Sequence, residues 1–218
     1  ILFQIYLGRV MDKLFYFLPQ TNKNHLSTSL PQFTKDTNSF EFKLRIRPDW
    51  DKLEEGVEYG VLMINGKHLG VSMNTTTLVG TVWTDEPKQV YLPLDYGSGE
   101  PPEFIDCEFK VDNVNKTLSM NSSFGCEEEY SNQSIEFEGE LADDYKWSYL
   151  WLGCACALED VPDEFKWKFF GHFEYLEIVR NEKPIFKSFF RRMTDFKIFD
   201  ESDCGNHFIK YSKEWFGE

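Results

Sequence analysis

Between residues 39 and 47 the chain alternates without a break. Phe40, Phe42, Leu44 and Ile46 take the even positions, and Glu41, Lys43, Arg45 and Arg47 the odd ones. In an extended chain successive side chains point to opposite faces, so this segment predicts a strand with one buried and one solvated face, ended by Pro48-Asp49. The pattern recurs. Residues 59–64 and 67–73 flank Asn65-Gly66, a pair that tolerates the positive φ values of a two-residue hairpin turn. Residues 108–111 and 117–120 predict a second hairpin that turns through residues 112–116. Residues 134–141, 149–154 and 172–180 read as further strands. Only residues 160–168 offer a short helical turn, and the Gly- and Pro-rich stretch 95–102 reads as exposed loop.

Many antiparallel strands and no long helical periodicity predict an all-β fold: a two-sheet antiparallel sandwich with at most a short helix. The expected organisation is an N-terminal arm or first strand over residues 1–37, a sandwich over 38–194 and a C-terminal extension over 195–218. Residues 1–19 are apolar in patches but carry Arg9, Asp12 and Lys13 and lack the small-residue cleavage site of a secretory signal. Met11 begins a plausible reading frame, and Gly8-Arg9 can be encoded by a purine-rich bacterial ribosome-binding sequence. Residues 1–10 are therefore expected to be translated leader, with an extra first strand as the alternative. The leader reading points to a bacterial or bacterial-virus gene.

Charge narrows the function classes. With 37 acidic against 23 basic side chains the net charge is −14, which repels phosphate backbones and anionic lipid and argues against nucleic-acid or membrane-surface partners. No run approaches the roughly 20 apolar residues of a membrane span. The 21 Phe, 10 Tyr and 6 Trp mark a folded chain. Five cysteines, an odd number without paired C-x-x-C spacing, read as reduced thiols rather than a disulfide framework. Four N-x-S/T sequons, at Asn74, Asn115, Asn121 and Asn132, read as incidental to polar turns.

The C-terminal third carries a resemblance. Leu150-Trp151-Leu152-Gly153, an acidic loop, and then residues 169–178 (FFGHFEYLEI) resemble the L-x-I-G … F-x-G-x-I-x-x-V-x-I pattern of laminin-G-like, concanavalin A-like jelly rolls. One glycine lets a strand leave the sheet and the second permits close approach beneath the last strand. Residues 180–200, through Arg180-Asn181-Glu182 to Ile198-Phe199-Asp200, resemble the tail appended to such domains in phage tail and virion proteins. Phe190 stands where that tail often has proline, and the glycine of its G-L-Y-D segment is absent. Asp203-Cys204-Gly205-Asn206-His207 is similar to the S-G-N-G-N-H turn of these domains. The resemblance spans about residues 38–211, and its motifs bear on fold rather than activity.

Chemistry is sparse. Relatives of this fold that hydrolyse glycans carry alternating carboxylates on one strand. Here Glu103, Asp106 and Glu108 are spaced E-x-x-D-x-E, and Glu136, Glu138 and Glu140 lack a central Asp, so both read as solvated faces and no catalytic residue is assigned. A calcium site at the sandwich rim, which the resemblance raises, would draw on Asp143, Asp144, Asp160 and Asp163; acidic surface loops are the competing reading, and no cofactor is assigned. Tyr145, Trp147, Tyr149 and Trp151 alternate strictly and share one strand face, with Leu150, Leu152 and Cys154 on the other. They are either a platform for glycan or partner binding or part of a strand buried on both faces. The expected function is a non-enzymatic structural or interaction component of a bacteriophage particle, oligomeric and partnered by other virion proteins. It would be made in the host cytoplasm and located in the virion. The alternatives are a lectin or adhesin for surface glycan, extracellular in that case, and more remotely a glycoside hydrolase.

Overall fold

The computed structural model describes residues 15–17, 26–30, 37–64, 69–94, 99–124, 130–141, 148–153, 169–190, 193–194 and 197–210. Their strands are β1 (Phe15–Phe17), β2 (Leu26–Leu30), β3 (Ser39–Pro48), β4 (Tyr59–Ile64), β5 (Leu69–Met73), β6 (Thr77–Trp83), β7 (Pro87–Pro93) and β8 (Ile105–Asp112). There follow β9 (Thr117–Phe124), β10 (Tyr130–Glu136), β11 (Ser148–Leu152), β12 (Gly171–Arg180), β13 (Lys183–Ser188), β14 (Met193–Thr194), β15 (Lys197–Ile198) and β16 (Phe208–Lys210). The one helical element among the described residues is a 3-10 turn at Trp50–Lys52. Residues 160–168 lie outside the described residues.

Every strand pair is antiparallel, and the strands form two sheets. Sheet A runs β1-β12-β3-β8-β9-β10, with β13 also paired to β12; sheet B runs β14-β15-β16-β2-β11-β4-β5-β6-β7. Alternation on β3 places Phe40, Phe42, Leu44 and Ile46 in the core and the charged odd positions outside. Phe109 stacks on Phe42 with centroids 6.0 Å apart, and Phe169, Phe173, Phe186 and Phe190 fill the remaining interior. Burial of this many phenylalanines, each contributing about 1.5–3 kcal/mol, is the main force holding the sheets together. Edge strand β7 packs on β9 and β10 and closes one side of the sandwich.

The second hairpin turns as its sequence predicts. The Asp112 carboxylate accepts from the backbone N–H groups of Val114 and Asn115, and Lys116 supplies the positive φ. Strands β4 and β5 pair as a hairpin, although Asn65-Gly66 lies outside the described residues. One strand is displaced: β10 ends at Glu136, where residues 134–141 were expected. Phe137 is buried and its N–H donates to the Lys116 carbonyl, while Gly139 adopts φ +91°. The apolar spacing of Ile135, Phe137 and Leu141 thus continues into a turn and mimics a strand. Glu138 and Glu140 are exposed there, so no carboxylate row forms with Glu136.

Both ends of the described chain join the sandwich. β1 pairs with β12 in sheet A, and β2 lies between β11 and β16 in sheet B.

Candidate functional site

A groove of about 410 Å³ lies on sheet A, lined by Lys43, Asp106, Glu108, Asn121, Asn132 and Tyr175 among others. Register builds it. Glu177, Lys43, Glu108, Asn121 and Asn132 follow one another across β12, β3, β8, β9 and β10. The neighbouring row is Tyr175, Arg45, Asp106 and Ser123. Directly opposed residues share a sheet face, so two strips of polar side chains stand together on the side away from the core.

Tyr175 reaches this face through a β-bulge. The register of β12 against β3 jumps from Phe173 opposite Ile46 to Tyr175 opposite Arg45, leaving Glu174 as the extra residue. Phe173 is therefore fully buried and Tyr175 is only partly so. The Tyr175 hydroxyl donates to Glu177 at 2.9 Å, and its ring lies 4.9 Å from that of exposed Phe189, with the Lys187 ammonium within 5.9 Å of both. Burial, followed by that hydrogen bond and the Glu177 charge, raises the Tyr175 hydroxyl far above its ordinary range, so the ring stays neutral.

The acids of the E-x-x-D-x-E stretch all find partners. Asp106 is held by Arg45 through two hydrogen bonds of 2.7 Å, with the guanidinium 4.6 Å above the Phe104 ring. Glu103 precedes β8 and pairs with Arg47 at 3.0 Å. Glu108 is hydrogen-bonded to Glu41, and this bond, with burial and the Glu41 charge, raises its titration; a hydrogen bond from Asn121 opposes the rise. Burial alone would raise Glu41, but the bonds from Glu108 and from Lys43 at 3.0 Å, together with the lysine charges, outweigh it and lower the group. The opposite shifts of the two groups fit one proton shared between their carboxyls.

The pair has a measurable consequence. A raised Glu108 stabilises the fold below the ordinary value of 4.5 and loses that contribution as pH rises through the raised one. A lowered Glu41 acts in the opposite sense, losing its contribution as pH falls through the lowered value. Glu108→Gln keeps a donor for Glu41 but cannot ionise. The variant's Tm should therefore gain on the wild type, by about 1–2 °C after solvent screening, as pH rises from about 4.5 to 7. Parallel Tm–pH curves for the two proteins would rule out the shared proton.

The asparagine pair of the groove was not foreseen in the sequence. Asn121 and Asn132, read as turn residues, are cross-strand neighbours on β9 and β10, whereas Asn74 and Asn115 do sit at turns. Asn121 Oδ1 is buried without a hydrogen-bond partner. Cys107, on the core side of β8, is a free thiol that burial, with the neighbouring Glu108 and Asp106 charges, pushes up to about 12, so it packs as a small apolar side chain.

Of the residues singled out beforehand, Tyr145, Trp147, Asp143, Asp144, Asp160 and Asp163 lie outside the described residues. Tyr149 and Trp151 lie on β11, between β2 and β4, and Trp151 takes the register position opposite Met63 and Ser27. Leu152 beside it is in the core. Met63 on β4 and, two strands further on, Thr81 on β6 are buried. Among the described residues no group of three or more His, Cys, Asp or Glu is placed to hold a metal ion.

No protein-family model matches the sequence, and no curated protein matches it. Solved structures do match in fold. The chain superposes on a native heptameric SAP-like pentraxin from Limulus polyphemus with a TM-score of 0.50 at 11% identity, covering 76% of this chain and 73% of the pentraxin. It superposes on the LG1-3 region of the laminin alpha2 chain with a TM-score of 0.51 at 9% identity, covering 78% of this chain and 31% of that one. The chain has a jelly-roll fold of the laminin-G-like, concanavalin A-like kind. The same jelly roll occurs in the enzymatically active domain of bacteriophage CBA120 tailspike protein 2, with a TM-score of 0.51 at 10% identity, covering 76% of this chain and 25% of the tailspike. The chain thus spans about a third of the laminin region and a quarter of the tailspike domain. At these identities the likeness is one of fold.

Proposed function

We propose that this jelly roll is a non-enzymatic binding module that takes a saccharide in the sheet A groove. The groove itself carries the reading. It sets the Tyr175 ring beside planar hydrogen-bonding groups, the Asp106 carboxylate and the Asn121 and Asn132 amides, in a volume of about 410 Å³. A pyranose presents an apolar face that stacks on an aromatic ring and a rim of hydroxyls that pair with carboxylates and amides. The groove also argues against hydrolysis. A glycosidase needs two free carboxyl groups about 5–9.5 Å apart across the scissile bond. Here Glu41 and Glu108 bond to each other, and Asp106 is neutralised by Arg45.

Tyr175→Ala should weaken binding of the best ligand on a glycan array at least tenfold while shifting Tm by less than about 2 °C, because the ring is only partly buried. Unchanged binding in the variant would remove the groove from consideration.

The second reading places the module in a bacteriophage particle, as a fibre, decoration or tail-associated protein assembled with other virion proteins. It is favoured by the phage-type tail after Ile178 and by the use of this fold in a phage tailspike and in a heptameric pentraxin. Such a particle component and a saccharide-binding module are compatible. Native mass spectrometry of the purified protein tests the assembly: a symmetric oligomer supports it, and a stable monomer at micromolar concentration would discard it.

A further inference from the structure

The groove holds an acceptor with nothing to accept. Asn121 spends its amide N–H on Glu108, and its Oδ1 is buried with no partner. A buried acceptor without a donor is costly, and a native fold keeps one chiefly where a ligand or an ordered water supplies the missing hydrogen. Asn132 lies directly across on β10 and is exposed, and Ser123 stands two residues further along β9.

The charges around it are already committed. Lys43, the one cation among the residues lining the groove, pairs with Glu41 at 3.0 Å. In the adjoining positions Arg45 is held bidentate by Asp106, and Lys187 lies 3.7 Å from Glu177. An anionic sugar would have to displace one of these carboxylates inside a chain of net charge −14. An uncharged sugar bearing a hydroxyl or an acetamido N–H would meet no such obstacle, and it would supply the hydrogen Asn121 lacks.

We propose that the groove selects uncharged, hydroxyl- or acetamido-bearing sugars, and that Asn121 is its specificity-determining residue, its amide turning toward the ligand so that Oδ1, closed to solvent in the resting protein, accepts a hydrogen bond from it. This rests on the saccharide reading of the groove, and the test separates the two. Wild-type protein, Asn121→Leu and Tyr175→Ala are applied to an array carrying neutral, N-acetylated, uronate-containing and sialylated oligosaccharides, and the Kd of the best neutral ligand is measured by calorimetry. The wild type should bind neutral or N-acetylated members and not the acidic ones. Asn121→Leu should weaken that Kd at least tenfold while changing Tm little, because losing the hydrogen bond to Glu108 is offset by removing an unpaired acceptor from the resting protein.

Preference for uronates or sialosides overturns the selectivity. Asn121→Leu binding like wild type, with Tyr175→Ala impaired, overturns the role of Asn121 and leaves the groove as a saccharide site. A Tm that falls sharply in Asn121→Leu shows a structural residue and overturns the proposal. Absence of binding to every class overturns both readings.

Discussion

Replacing Asp200 with alanine should cost the fold about 3–5 kcal/mol and lower Tm by roughly 10 °C. The side chain is nearly buried, and its two oxygens divide the work. Oδ1 accepts from the backbone N–H of Lys187 at 2.9 Å and of Ser202 at 2.8 Å, while Oδ2 accepts from the Asn206 N–H and the Ser202 hydroxyl, both at 2.8 Å. The Asp200 N–H donates to His207 Nδ1, and the Asn206 amide donates to the Ile185 carbonyl. One carboxylate thereby ties the 199–207 loop to β13. Alanine leaves three partly buried backbone donors without their acceptor, and an unpaired donor costs on the order of 1–3 kcal/mol where water cannot replace the bond. The amide introduced by Asp200→Asn can satisfy only one oxygen's donors, because its NH₂ faces the others, so that variant should fall between wild type and Asp200→Ala. A chemical-denaturation series on the three proteins checks the order. Equal stability of Asp200→Ala and wild type would mean the loop is held by something else.

The same residues show why the resemblance could be read from a single sequence. The Asp of the Ile198-Phe199-Asp200 segment and the Asn-His of the 203–207 turn are separate fragments in the chain, yet they meet in the fold: the Asn206 N–H donates to the Asp200 carboxylate, and the Asp200 N–H donates to His207 Nδ1. Recurrent fragments of this kind are legible because the backbone demands particular side chains at particular places. Asn181-Glu182 is another instance: both residues take positive φ, as a two-residue hairpin turn requires, and Asn181 Oδ1 also receives the N–H groups of Asn38 and Ser39.

The strands were legible for a simpler reason. Where one sheet face is wet, burial alternates with period two, as on β3 and β8. Strands β4, β5 and β6 are buried on nearly every residue, so there alternation carries less information and turn residues mark the ends instead.

The groove was harder to see because it depends on register. Nothing in the sequence says that Asn121 faces Asn132, or that Glu108 leans on Glu41 two positions from its direct partner Lys43. Strict alternation from Phe173 would also have put Tyr175 in the core. The correcting signal was present in the F-x-G-x-I-x-x-V-x-I pattern, whose doubled x falls on Glu174-Tyr175. That doubled spacing is the bulge that turns Tyr175 outward.

The glycine of that pattern sets the last expectation. Gly171→Ala should destabilise the protein by about 2–4 kcal/mol, with Tm lower by roughly 5–15 °C. Gly171 has φ +155°, and it begins β12 directly between Pro48 of β3 and Phe17 of β1. A Cβ there would stand 2.5 Å from the Arg47 carbonyl oxygen and 2.7 Å from the Phe169 ring. The ring can swing a little, but the carbonyl belongs to the β3 backbone, so relief requires the two strands to separate. Gly56 provides the control. It has φ +78° and nothing within 4 Å of a Cβ, so Gly56→Ala reports backbone strain alone, about 1–2 kcal/mol. If Gly171→Ala proves no worse than Gly56→Ala, close strand approach is not the reason for glycine at 171. A larger loss at 171 ties the pattern's second glycine to the contact that lets β12 lie against β3, and through it to the bulge that carries Tyr175 into the groove.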